Sequence, residues 1–288
     1  VTMIFRSTDI ETLVDEGALS KVSPTYKLVG GRPHESYQGG EGTYREPVVE
    51  VVDGLPPPYA CRVVSISTVD VCFDPTHSPP YWYDRCSTEC FWAADGSAAR
   101  ADALERRLLQ SFHEAMSAGS EVAASLIHLV TWNGRQFDLP VIMMRSLKHG
   151  ISCRWYYNKD RRGMRYRFTD EGHCDLMDSL ADYGAARFMK LGDMARLIGL
   201  PGKTDMSGDK VAVLYAESLC DPSRAEELQA KTKRYCLQDS IQTAILWLRS
   251  RHLYGYVGRE TYNAALATFR ESAEICRAID VNWEGLLL

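Results

Sequence analysis

The most constraining feature of the sequence is residues 124–132 (ASLIHLVTW), a stretch that is apolar on both faces of an extended chain. Side chains alternate across a strand, so a strand with one wet face would alternate apolar with polar residues. This one does not, which places it inside a sheet that is covered by layers on both sides. Asn133-Gly134 follows it, and from Leu139 to His149 the apolar period becomes helical. A buried strand feeding directly into a helix points to an α/β fold.

The remaining pattern extends that scheme. Residues 1–8 read as a short strand that delivers Asp9-Ile10-Glu11-Thr12 at its carboxyl end. Residues 60–73 (ACRVVSISTVDVCF) alternate and are rich in β-branched side chains, as a strand or hairpin arm does. A helix is expected at about 100–118, with Leu104, Leu108, Phe112 and Met116 on one face. Residues 173–198 read as a short segment and two helical stretches, ended by Gly199 and Pro201. Long helices are expected at 224–250 and 259–279, the second with Tyr262, Leu266, Phe269 and Ala273 in a stripe. Two stretches near 16–58 and 74–98 carry many Gly, Pro and polar or aromatic residues without a sustained period, and read as excursions. The expectation is a mixed β-sheet flanked by helices over residues 1–250, with a helical C-terminal extension at 251–288 packed on the same domain.

No run approaches the ~18–20 apolar residues of a membrane span, and the first residues lack a secretory signal's apolar core, so a cytoplasmic location is expected. The nine cysteines are scattered and odd in number, which fits reduced thiols better than a disulfide framework. Cys86 and Cys90 have the spacing of half a zinc site, but no second pair is suitably placed, and structural thiols are the preferred reading. A net charge of −5 does not advertise a nucleic-acid binder. Residues 151–168 differ locally: six cations (Arg154, Lys159, Arg161, Arg162, Arg165, Arg167) face one acid, Asp160, and aromatics including Trp155, Tyr166 and Phe168 are interleaved. This suits a single-strand surface, with cations on phosphates and rings on bases. It equally suits a hairpin with a basic, pairing-resistant edge.

Three sets of carboxylates stand out. Asp9-x-Glu11 puts two acids on one side of a strand end, a weak signal by itself and otherwise a solvated terminus. Asp138 follows the buried strand in Asn133-Gly134-Arg135-Gln136-Phe137-Asp138-Leu139-Pro140, where a helix cap is the simpler role. Asp239 shares a helix face with Tyr235, four residues earlier, and alone reads as a solvated helical aspartate.

In this order the three sets resemble the exonuclease motifs of the DEDD (DnaQ-like) superfamily. The middle motif is similar to that of the proofreading exonuclease domain of family B DNA polymerases. Residues 173–204 resemble stand-alone predicted 3′-5′ exonucleases related to that domain. The resemblance covers about 1–12 and 59–250. It implies a ribonuclease-H-like fold in which Asp9, Glu11, Asp138 and Asp239 hold two divalent cations, Mg²⁺ or Mn²⁺. Tyr235 takes the position that defines the DEDDy subclass. Thr12 would meet the terminal nucleotide through its backbone. The sequence departs from the family before Asp9, where Arg6-Ser7-Thr8 replaces a bulky apolar residue.

Electrostatics supports the metals separately. Two like charges ~5 Å apart at an effective dielectric of ~20 repel by roughly 3 kcal/mol, so four converging carboxylates protonate in part unless cations neutralise them. The expected activity is 3′-5′ hydrolysis of single-stranded DNA by two metal ions. The alternatives are the same chemistry on RNA and a non-catalytic nucleic-acid-binding module of the same fold. Asn133, Phe137, Arg161 and Arg162 are candidate nucleic-acid contacts, with Phe137 also suited to the core. Asp175 and Asp178 suit a polar wall of the site or, better, a helix cap, and Lys203 suits a phosphate contact or an exposed loop. A polymerase or repair partner is not specified by the sequence.

Overall fold

The computed structural model describes residues 2–22, 56–74, 81–121, 125–158, 164–202 and 208–288. Five strands form one sheet: β1 (Thr2–Val14), β2 (Cys61–Asp74), β3 (Tyr81–Cys90), β4 (Ser125–Thr131) and β5 (His173–Asp175). The helices are α1 (Glu16–Val22), α2 (Ala98–Glu121), α3 (Asp138–His149), α4 (Arg154–Tyr157), α5 (Leu176–Leu180), α6 (Leu191–Leu197), α7 (Gly208–Cys220), α8 (Ala225–Leu253), α9 (Arg259–Glu271) and α10 (Ala273–Ala278). The sheet order is β3-β2-β1-β4-β5. β1 to β3 pair antiparallel, whereas β1, β4 and β5 run parallel. This is the mixed, helix-flanked, ribonuclease-H-like sheet that the sequence led us to expect.

The two apolar faces of β4 explain the layering. Ile127 and Leu129 join Ile10 and Ile66 under Leu108, Leu109 and Phe112 of α2 and Leu139 and Ile142 of α3. Val130 faces the other way, with Val69 and Val71 of β2, against Ile241 and Ile245 of α8. Outside α8 lie α9 and α10, whose Tyr262, Leu266, Phe269 and Ile275 enter the same core. α8 is therefore a central helix. It is buried nearly all round from Tyr235 to Leu248, so its sequence carries no clean apolar stripe.

The structure corrects the expected elements in five places. β1 does not stop before the acidic motif but runs through it to Val14, with a register shift between Glu11 and Thr12. The second excursion contains an edge strand, β3, because Pro79-Pro80 and the aromatics obscure a ten-residue pairing with β2. Residues 208–220 form a helix that the sequence reading omitted, and the last helix divides at Ser272, whose hydroxyl caps α10. Residues 154–157 are helical, so the described part of the basic segment is not a hairpin. Most of the first excursion lies outside the described residues. Cys86 and Cys90 lie on β3, and Cys90 is buried against Trp92 and Leu228.

The unusual Arg6 is accounted for. It pairs across the sheet with Asp70, its neighbour in register, through two bonds of 2.7 Å, and donates a third to Ala115 O on α2.

A second ionic cluster, wholly buried at its centre, ties α3 to the end of β1. The Arg145 guanidinium donates to Glu105 of α2 (Nε, 2.7 Å), to Asp15 (2.7 Å) and to the Tyr59 carbonyl (2.7 Å). His149 meets Glu105 at 2.8 Å, and Lys148 bridges Asp15 and Asp102. Burial opposes the Asp15 charge, but the bonds from Lys148 and Arg145 prevail and hold its carboxyl well below the usual range.

Candidate active site

The site begins with a seam of serines. Ser65 and Ser67 on β2 stand opposite Glu11 and Asp9 on β1. Ser67 Oγ donates to the Cys236 carbonyl at 2.8 Å and meets Ser240 Oγ at 2.6 Å, while Ser7 Oγ donates to the Ser240 carbonyl at 2.8 Å. All four serines are buried. Their small size lets the α8 backbone come close to β1 and β2; Ser7 and Ser67 donate to its carbonyls, and Ser65 donates to the Glu89 carbonyl of β3 at 2.8 Å. Tyr235 and Asp239, one turn apart on α8, are thereby buried beside the acidic strand.

Cys236 marks how close the approach is. Its thiol donates to the Asp9 carbonyl at 3.4 Å. A ligand atom from each of Asp9, Glu11 and Cys236 lies within 4.8 Å of the others. Burial, then the charges of Asp9 and Glu11, push this thiol well above its ordinary range, so it is a neutral neighbour. The sequence reading missed Cys236, since nothing but its place after Tyr235 signals it.

Asp138 arrives from the opposite layer. The parallel pairing of β1 with β4 ends at Ser7 and Val130, so the two strands part just where β1 carries Asp9. In that gap the Ile10 N–H donates to Asp138, the first residue of α3. Burial, reinforced by the negative charges of Asp175 and Asp239, raises the Asp138 carboxyl to about 7.

The loop that delivers Asp138 is tightly built. Asn133 adopts a left-handed conformation (φ 64°), which Asn tolerates better than most residues. Its backbone N–H and that of Arg135 donate to the two oxygens of Asp175, each at 2.9 Å. Asp175 also caps α5 by accepting from Asp178 N–H, and Arg167 holds Asp178 through two bonds of 2.6 Å. Of this pair, Asp175 takes the expected capping role, whereas the Asp178 carboxylate is held by Arg167. Gly134 has no room for a side chain: an added Cβ would lie 2.4–2.7 Å from Thr131, itself buried and bonded to His173. Gly134→Ala is therefore expected to cost about 1–3 kcal/mol, as overpacking does, and to displace Asp138. Urea unfolding checks the first effect, and wild-type stability would show that the loop yields freely.

Residues 56–279 match the family model described as a predicted 3′-5′ exonuclease related to the exonuclease domain of PolB. The chain belongs to this family. Among solved structures, the family B DNA polymerase from the hyperthermophilic archaeon Pyrobaculum calidifontis is similar at 12% identity and a TM-score of 0.45, over 98% of this chain. The chain spans 30% of that polymerase's length. No curated protein matches.

The remaining candidate residues fall in distinct places. Thr12 sits just past the register shift, opposite Val63, with its hydroxyl at the Cys61 thiol. Phe137 precedes α3 and packs partly against the α2–α3 core. Asn133 shapes the loop. Arg161, Arg162 and Lys203 lie outside the described residues. Trp155 is a correction: it is buried, and its Nε1 donates to His113 Nδ1 at 2.8 Å, so it cannot stack on a base. Burial takes the His113 pKa down to about 4, and the neutral ring receives that bond.

The carboxylates fit a hard divalent cation. Oδ2 of Asp9 and Oδ1 of Asp239 are shielded from solvent, and Glu11 and Asp138 are buried. With Cys236 neutral, the donors are oxygens, as Mg²⁺ and Mn²⁺ prefer. A second acidic group, Asp102, Glu105 and His149, is already matched by Arg145, Lys148 and Arg62.

A carboxyl with a raised folded pKa keeps its proton where the unfolded chain has released it. Asp138 therefore subtracts stability as pH climbs from its ordinary value of 3.8 to about 7, and the loss is complete above that. In cation-free protein, Asp138→Asn should gain on the parent across this window, levelling off at a difference on the order of 2–4 kcal/mol. Urea unfolding of both proteins at a series of pH values reads the difference, and a flat difference would reject the raised carboxyl.

Proposed function

We propose that this exonuclease removes nucleotides from the 3′ end of single-stranded DNA, using Asp9, Glu11, Asp138 and Asp239 to hold two divalent cations, with Tyr235 as the DEDDy tyrosine. The observation that carries the proposal is the approach of α8 over the serine seam, which brings acids from opposite ends of the chain to one strand. When bound, such cations activate a water and neutralise charge on the phosphate. Asp9 and Glu11 present their oxygens from a rigid strand, a better platform than a loop. Burial raises the Asp138 carboxyl to about 7, and a bound cation would favour its charged form. The Tyr235 hydroxyl, one helical turn from Asp239, orients the attacking water.

The test is incubation of end-labelled DNA and RNA single strands with Mg²⁺ or Mn²⁺, followed by product sizing. Stepwise shortening from the 3′ end, faster on DNA, is the expected result. An intact strand in every condition would sink the proposal. Within it, Tyr235→Phe should lower kcat by about 10²-fold, the low end for a positioned catalytic group, with cation affinity by calorimetry unchanged. A loss of cation affinity equal to that in Asp239→Ala would make Tyr235 structural instead.

A further inference from the structure

Exposed aromatic side chains are not spread evenly over the molecule. Among the described residues, Tyr157, Tyr166, Phe168 and Phe188, each 45–57% exposed, fall within one short stretch of chain. They form a connected surface. The Tyr166 and Phe168 rings meet edge to face at 5.9 Å, and Phe168 meets Tyr183 at 5.3 Å. A Cβ added at Gly184 would lie 3.9 Å from both the Phe188 ring and the Arg167 guanidinium, so these two side chains share one place. Arg167 in turn lies over the Phe168 ring, and Arg165 over the Tyr157 ring. Asp182 and Tyr183 are successive residues with positive φ, 48° and 55°, an uncommon backbone that presents Tyr183 to this cluster.

The surface is cationic where it is unpaired. Arg154, Arg165, Arg187 and Lys190 are exposed and have no acidic partner among the described residues. Of the nearby acids, Asp178 and Asp170 are neutralised by Arg167 and Arg251, which leaves Glu171 and Asp182. It is also attached to the carboxylate site. The Arg135 guanidinium donates to the carbonyls of Tyr166 and His173 at 3.0 and 2.9 Å, while the Arg135 N–H binds Asp175, whose charge acts on Asp138.

We infer that the face formed by Tyr166, Phe168, Tyr183 and Phe188, with Arg165, Arg187 and Lys190, is the platform along which a single-stranded nucleic acid lies as its end enters the carboxylate site. The inference rests on the nuclease reading above. Flat rings serve any base, and cations follow the phosphates, so the face holds a strand without selecting its sequence. A protein partner would be drawn to the rings but would not need the unpaired cations.

The test uses the full chain with Asp9→Asn, which blocks turnover, and a fluorescein-labelled 12-nucleotide thymidine strand read by anisotropy. Tyr166→Ala with Phe168→Ala should weaken binding on the order of 10²-fold, since each stacked base is worth roughly 5- to 150-fold. Arg187→Ala with Lys190→Ala should lower the salt slope by about 0.7 for each phosphate that the protein no longer neutralises. Phe168→Leu keeps the apolar bulk without the flat ring, and should weaken binding even if the double alanine variant folds poorly. Unchanged affinity and slope in folded variants would overturn the platform and assign the face to another occupant. Cleavage by the parent enzyme, measured separately, shows whether the nuclease reading stands regardless.

Discussion

Asp9→Ala and Asp239→Ala should each abolish nearly all nuclease turnover while leaving the fold intact. Removing a ligand forfeits the several kcal/mol that a bound cation supplies to developing charge, and at 1.36 kcal/mol per decade this is at least ~10³-fold in rate. The fold should survive because both side chains add negative charge to an already crowded cluster. The cation-free variants should be at least as stable as the parent, since each substitution relieves repulsion on Asp138 or its neighbours. Product sizing under Mg²⁺ measures the first effect and urea unfolding the second. Near-normal turnover in either variant would mean that the chemistry uses other residues.

Arg145→Ala should produce the largest loss of stability, about 3–5 kcal/mol, as when one partner of a buried ion pair is removed. Its guanidinium is wholly enclosed, and without it Glu105 and Asp15 would face each other across a gap in the core. Glu105 retains His149 and Asp15 retains Lys148, so the loss should fall within that range rather than beyond it. The geometry of the site should suffer too, because the cluster joins the strand of Asp9 to the helix of Asp138. Chemical unfolding and turnover should therefore decline together. A cost under about 1 kcal/mol would class the cluster with exposed pairs.

Much of this was legible in the sequence, for physical reasons. A strand apolar on both faces has one home, and residues 124–132 occupy it as β4 between two helical layers. The three acidic sets were each weak alone and stood out only in their order, which resembles the exonuclease motifs. What stayed hidden depended on neighbours. Ser65 and Ser67 read as the polar half of an alternating strand, yet both are buried, since a β3 carbonyl satisfies the first hydroxyl and the α8 backbone the second. Trp155 stands among arginines and reads as a surface ring, yet a single bond to His113 and a place under α2 draw it inward. The edge strand β3 escaped because flanking prolines resemble a loop until its partner β2 is known.

The serine seam also fixes when activity can arise during folding. Ser7 and Ser240, which it joins, are 233 residues apart in sequence. Contacts of such span form late, after shorter loops have closed. A partly folded molecule thus holds its acids on separate pieces, and on the proposed function the power to cut would arrive only as the long helix docks.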